Sequence, residues 1–356
     1  MIKYKNPVSL PPFEVKNVVA TLSQTTDWGL INLKIPDTWT ESTGKDITVL
    51  IIDTGCPVQI KDGNLIVHPD LDGAIQLDQC KSFIDGEGIE DFNGHSSMCA
   101  GIIGARNNDI GCVGYAPNCT IITYKGLDKY GSGGMYQIAE ALEYAANYLK
   151  PDIVSMSLGS TMPDERVHKA IKRLYDMNIV TVCAGGNGGS AEGVNYPGEY
   201  DEVITIAAYD KNDWIAKFSA VGDGIDFAFP GVDIYSTYLN GGYAKMSGTS
   251  FACPAAAGVV ALLLAKHKKQ EKETGMNDCK TVDQIKEHLR KYSIDYGVAG
   301  RDKWFGWGIV DVSKMITAQE TGDACTGVIP QPEEEPKKSK WQKVKDWLWL
   351  KFSKPF

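Results

Sequence analysis

Five short runs of β-branched and apolar residues, at 46–52, 120–125, 152–157, 179–184 and 203–208, dominate the chain. Such runs are apolar on both faces, so they cannot lie on a sheet that shows one side to water; they predict strands buried on both sides. Segments 134–150 and 164–178 carry apolar residues three and four apart, the spacing of a helix with one buried face. Strand, helix and strand in alternation predict an α/β fold, a mostly parallel central sheet with helices on both faces. In that architecture ligands bind beyond the carboxyl ends of the strands, so the residues following each run carry the functional interest. At 356 residues the chain exceeds what one core usually holds, and a large domain with appendages is expected.

A formal charge of −9 sets the body of the protein against phosphate backbones, so nucleic acid is not an expected partner. The longest apolar stretch, 255–265, is too short for a bilayer crossing, and no apolar core precedes Pro11 and Pro12 as a secretory signal would need. A cytoplasmic protein is expected. Nine cysteines stand singly with no CxxC pair, which fits reduced, buried thiols. Residues 1–23 read as an irregular, proline-bearing leader, 24–317 as the main domain, 318–336 as a Pro- and Glu-rich linker, and 337–356 as a basic amphipathic tail. That tail holds seven lysines against one aspartate, with Trp341, Val344, Leu348 and Phe352 at helical spacing. It suits an anionic membrane surface, a docking partner or the protein's own acidic body, or it is simply a solvated helix.

Four segments carry chemistry in combination. In IIDTG (51–55) an apolar strand ends on Asp53. In NGHSSMCAGIIGA (93–105) His95 opens a small-residue helix. In CAGGNGGS (183–190) a strand runs into glycines around a single amide, Asn187. In KMSGTSFACPAAAG (245–258) Ser250 begins a long apolar helix, whose free N–H groups and positive end face whatever lies above it. Singly, each reads as readily as a turn former, a packed histidine, a glycine turn or a helix cap. Together they supply nucleophile, base, orienting acid and oxyanion donor. The order Asp, His, Ser along the chain is the one the subtilisins use.

From about residue 24 to about residue 316 the sequence resembles the subtilisin family of serine proteases, and among them the intracellular subtilisins. Further matching stretches are HPDL (68–71), NNDIGCVGYAPN (107–118), YGSGG (130–134), SMSLG (155–159) and FGWGIVDV (305–312). The resemblance implies a subtilisin-like three-layer fold and a serine endopeptidase acting on protein or peptide substrates. It implies that Asp53 orients the imidazole of His95, that His95 is base and then acid, that Ser250 is the nucleophile and that Asn187 serves the oxyanion hole. It implies that peptides align on Gly131, Ser132 and Gly133 and on Ser157, Leu158 and Gly159, and that Asn195, where glycine is usual, shortens the pocket for the residue before the cut. It implies a Ca2+ ion held by Gln24, Asp70 and Asn108 with carbonyls of Arg106, Ile110 and Cys112. The short leader resembles that of intracellular subtilisins, in which a proline-containing motif lies across the cleft; Leu10-Pro11-Pro12-Phe13 stands in that place, with a plain unstructured leader as the other reading.

The chain departs from the family where Ser96-Ser97-Met98 follow His95 and where Phe251-Ala252-Cys253 follow Ser250. Those changes leave open a catalytically silent relative that binds or scaffolds. A serine-carboxyl peptidase would need an acidic oxyanion residue and a glutamate base in place of Asn187 and His95.

Overall fold

The structure, a computed structural model, describes residues 4, 6–19 and 23–318. Apart from Ala318, the expected linker and basic tail lie outside the described residues.

Seven parallel strands form the central sheet: β1 (Thr48–Asp53), β2 (Lys81–Ser82), β3 (Thr120–Lys125), β4 (Ile153–Met156), β5 (Val180–Ala184), β6 (Ile204–Tyr209) and β7 (Phe227–Pro230), in the order β7-β6-β5-β4-β1-β3-β2. The first strand thus lies inside the sheet, with later strands added first on one side of it and then on the other. The chain reverses its direction of travel between β1 and β4, and a crevice opens beyond their carboxyl ends.

The alternation of side chains across β1 divides the interior. Val49 and Ile51 join the larger apolar cluster with helices α1 (His95–Gly104) and α4 (Thr249–Thr274), while Leu50 and Ile52 join the smaller one with α2 (Met135–Tyr144) and α3 (Glu165–Asp176). Observed strands match the five sequence runs to within two residues at either end. The segment 134–150 holds α2 followed by one wider π turn, Ala145–Leu149, that stops where Lys150 takes the left-handed conformation (φ 50°).

Helix α4 is apolar on every side because it passes through the core; everything from Thr249 to Ala265 is buried. Gly258 lets it approach closely, since a Cβ there would meet the Tyr115 Cβ at 2.5 Å. As a whole helix, α4 has the length and composition of a membrane span, but 89% of its most apolar window is buried inside the molecule. Its apolarity is explained by the core.

The leader was expected to be irregular, and here the structure differs. Strand Pro7–Ser9 pairs antiparallel with Ser132–Gly134, and strand Glu14–Val19 pairs antiparallel with Tyr243–Ser247. Neither leader segment has a strong strand pattern of its own. Each becomes a strand by adding to an open edge of the body, a tertiary effect that local sequence does not encode.

Candidate active site

Asp53 ends β1 and is fully buried, as is His95 at the start of α1. The imidazole Nδ1 lies 2.9 Å from each carboxylate oxygen of Asp53. The Thr54 N–H donates to Asp53 Oδ1 at 2.7 Å, so the carboxylate is held from its own backbone as well. Gly94, at φ +95°, makes the turn into the helix; a Cβ there would strike the Tyr238 ring at 2.2 Å.

Asp91 was not singled out in the sequence, yet it organises this corner. Its carboxylate is buried and accepts from Thr54 Oγ1 (2.9 Å), Asn93 N (2.9 Å), Gly94 N (2.9 Å), Ser97 N (2.8 Å) and Ser97 Oγ (2.7 Å). Thr54 Oγ1 in turn accepts from Ser96 N at 3.1 Å. A negative group thereby serves the free N–H groups at the α1 N-terminus and ties them to the residue after Asp53. Ser96 and Ser97, the departures beside His95, are built into this network. An aspartate four residues before the histidine, followed by Asn-Gly, was the available signal.

Ser250 is the second residue of α4 and fully buried. Its carbonyl would normally accept from the N–H four residues on, but that residue is Pro254, which has none. Ser157 Oγ (2.7 Å) and Cys99 Sγ (3.5 Å) donate to it instead. Burial, and then the charge of Asp53, push the Cys99 thiol well above its ordinary range, so it stands there as a neutral donor. Cys99 lies 3.9 Å from His95 Nδ1, as a thiol beneath the imidazole should. The Ser250 hydroxyl donates to the Ser157 carbonyl at 3.4 Å, and His95 Nε2 is buried with no hydrogen-bond partner among the described residues. The nucleophile–base contact is therefore not made in this state.

Asn187 follows β5. Its side-chain oxygen accepts from Thr249 N (2.9 Å) and Thr249 Oγ1 (2.8 Å), which fixes the amide and turns Nδ2 into the crevice. There Nδ2 donates to the carbonyl of Pro12 at 3.1 Å. The leader fills the crevice around that contact. Ser9 and Gly159 exchange both backbone bonds (3.1 and 3.0 Å), Leu10 N donates to Gly131 O (2.9 Å), and Val8 and Ser9 pair with Gly133 and Ser132. Phe13 packs its ring 5.2 Å from that of His95 and 6.3 Å, edge-on, from that of Phe251. Leu158 is buried behind the Gly159 edge. The Asn195 side chain stands between two glycines: a Cβ on Gly159 would meet its Cβ at 2.9 Å, and one on Gly186 its Nδ2 at 2.7 Å.

An extended segment is thus paired on two edges with a carbonyl turned to a fixed amide, beside a buried Asp–His pair and a serine at a helix start. Comparison with known proteins agrees with that layout: residues 44–308 match the subtilase family. This chain is a subtilase. It is 36% identical over 295 residues to the minor extracellular protease Epr of Bacillus subtilis (strain 168), covering 82% of this chain and 42% of that protein. It is 33% identical over 291 residues to subtilisin Savinase of Lederbergia lenta, covering 81% of this chain and 98% of that one. To the intracellular serine protease of Paenibacillus polymyxa it is 36% identical over 243 residues, covering 66% and 72%. The chain spans less than half the length of the first of these relatives.

The subtilase loop expected to hold calcium is ordered from inside. Asp70 is buried; Oδ2 accepts from Cys112 N at 2.7 Å, while Oδ1 has no hydrogen-bond partner within bonding distance among the described residues, with Asn108 and Tyr243 beside the carboxylate. Desolvation by burial raises the Asp70 carboxyl above its ordinary range. Asn108 Oδ1 accepts from Ile110 N at 3.2 Å, and Arg106 N donates to Asp70 O at 2.8 Å. A buried carboxylate beside an amide oxygen suits a hard cation. Gln24 reaches the same loop, where its amide oxygen accepts from the N–H groups of Asn108 (3.0 Å) and Asp109 (3.2 Å).

Proposed function

We propose that this subtilase is a serine endopeptidase that hydrolyses protein and peptide substrates through an acyl-enzyme on Ser250. The observation that carries the reading is the peptide carbonyl of Pro12 against Asn187 Nδ2, presented by an antiparallel strand above the buried Asp53–His95 pair. A substrate strand would take the leader's place by the same backbone pairing with Gly131 to Gly133 and Ser157 to Gly159.

In this mechanism Asp53 fixes the tautomer in which His95 Nδ1 carries the proton, leaving Nε2 to accept. The Ser250 hydroxyl turns from the Ser157 carbonyl to Nε2, gives up its proton and attacks the scissile carbonyl carbon. Charge developing on the carbonyl oxygen is met by Asn187 Nδ2 and by the backbone N–H of Ser250 at the positive end of α4. His95 then protonates the leaving amine, and a water activated by the same nitrogen releases the acyl group.

The leader, residues 1–23, acts as an inhibitor in cis. Pro11 and Pro12 offer no N–H for strand pairing, and Phe13 covers the imidazole, so the segment binds without presenting a cleavable bond in register. Asn195, lodged between Gly159 and Gly186, shortens the pocket for the residue before the cut. Calcium, when bound, would neutralise Asp70 and secure the 106–112 loop; Gln24, Asp70 and Asn108 with carbonyls of Arg106, Ile110 and Cys112 would hold it.

The test is hydrolysis of an unstructured protein by a chain lacking residues 1–20, set against the same chain carrying Ser250→Ala. Loss of turnover by several orders of magnitude in the variant is expected. Equal turnover of the two would reject the reading.

A further inference from the structure

Far from the crevice, three potential metal ligands converge. His267 lies on α4, His288 on α5 (Val282–Lys291), and Cys279 on the loop between them. One ligand atom of each lies within 4.8 Å of the other two, and all three residues are buried, at 0%, 8% and 3% exposure. The two imidazole rings stand 5.1 Å apart and nearly perpendicular, at 84°.

We propose that His267, Cys279 and His288 bind a structural zinc ion that clamps α4 to α5. The chemistry of the set selects the metal. Two imidazoles and a thiolate are ligands for a borderline ion of the zinc class and poor ligands for calcium or magnesium. In a tetrahedral zinc site, bonds of about 2.0–2.3 Å put ligand atoms roughly 3.3–3.8 Å apart, so a contraction of about 1 Å closes this set around an ion. Zinc takes each imidazole in its neutral form and the cysteine as thiolate, so binding would release protons. The nearby charges that act on the two rings are Lys266, Asp278 and Lys291. The three residues leave the fourth position of a tetrahedral site to a further ligand.

The loop that carries Cys279 is already secured. Cys279 N donates to Asn277 Oδ1 (2.9 Å), Asn277 Nδ2 donates to Glu271 Oε2 on α4 (2.9 Å), and Lys280 pairs with Glu271 at 2.7 Å. Thr281 and Gln284 form a capping box at the start of α5, which fixes where His288 emerges. Binding would therefore order few groups. His267 is seventeen residues beyond Ser250, about 25 Å along the helix. The site lies apart from the reacting groups, and the inference holds whether or not the chain is a peptidase.

The experiment uses the full chain, stripped of metal and returned to excess calcium, then titrated with zinc alone and, in parallel, with cobalt(II) as a coloured substitute. Because Asp53, His95 and Cys99 form a second His/Cys/Asp group, Cys99→Ala is the control. The expected result is one equivalent of zinc bound, a raised Tm, and for cobalt a thiolate charge-transfer band with intense visible absorption. These persist in Cys99→Ala, and in Cys279→Ser zinc affinity falls at least about 100-fold and the band is lost. Should Cys279→Ser not fold, His288→Gln is read for the same loss of affinity. No thiolate band in the wild-type chain, or a band lost in Cys99→Ala and kept in Cys279→Ser, would overturn the proposal.

Discussion

Replacing Phe13 by alanine should release the crevice without touching the residues of the proposed reaction. The Phe13 ring packs against His95 and Phe251. Removing it costs the leader roughly 80–100 Å² of apolar contact, worth about 2 kcal/mol at about 25 cal/mol per Å². The backbone bonds of Ser9 and Leu10 remain and still hold the segment in register. The equilibrium between covered and open crevice should shift by about 30-fold, and the initial rate on a small peptide substrate should rise by up to that factor. The assay is a progress curve from time zero, with intact mass measured on the same sample so that self-trimming is not mistaken for opening. An initial rate within twofold of wild type, with the leader whole, would refute the view that Phe13 holds the leader over the imidazole.

Asp91→Asn keeps one acceptor of a carboxylate that serves five donors, so kcat/KM should fall about 10- to 100-fold, mostly in kcat, with Tm lowered by a few degrees; unchanged kcat would remove Asp91 from positioning His95. Asp27 caps a short helix from a buried place, and that burial raises its carboxyl to about 6 in the folded protein, against about 3.8 for an exposed one. The folded form holds this proton between those values, so the group favours folding most below pH 3.8 and its contribution is lost as pH rises through about 6. Asp27→Asn should accordingly show a smaller drop in Tm between pH 4.5 and pH 7 than the wild type; equal drops would exclude Asp27 as the source. Asn195→Gly should deepen the pocket bounded by Gly159 and Gly186, read as a gain in cleavage after large aromatic residues in a peptide library, and no change in preference would show that Asn195 does not bound it.

The sequence announced the parallel sheet because strands buried on both faces must be apolar throughout, a pattern that needs no tertiary information. The ends of those strands then pointed to Asp53 and Asn187, and the helix starts to His95 and Ser250, since ligand crevices and free N–H groups occur at such places. What stayed hidden depends on contacts between distant segments. Asp91 lies in an irregular stretch, and its role exists only once Thr54 and the α1 N-terminus come together. The donors that replace the missing Pro254 N–H come from Ser157 and Cys99, neither of them near it in sequence. The leader became two strands only by adding to edges that the body provides. Local pattern cannot reveal pairing whose partner lies more than a hundred residues away.

The central claim is that Ser250 becomes nucleophilic through His95 once the leader leaves. Labelling with a serine-directed fluorophosphonate tests it most directly, using the chain without residues 1–20, the full chain, and the trimmed chain carrying Ser250→Ala or His95→Ala. Rapid, stoichiometric labelling at Ser250 in the trimmed chain, slow labelling in the full chain and none in either variant is the predicted result. Label at another serine, or equal labelling of Ser250 with His95 replaced, would contradict the account.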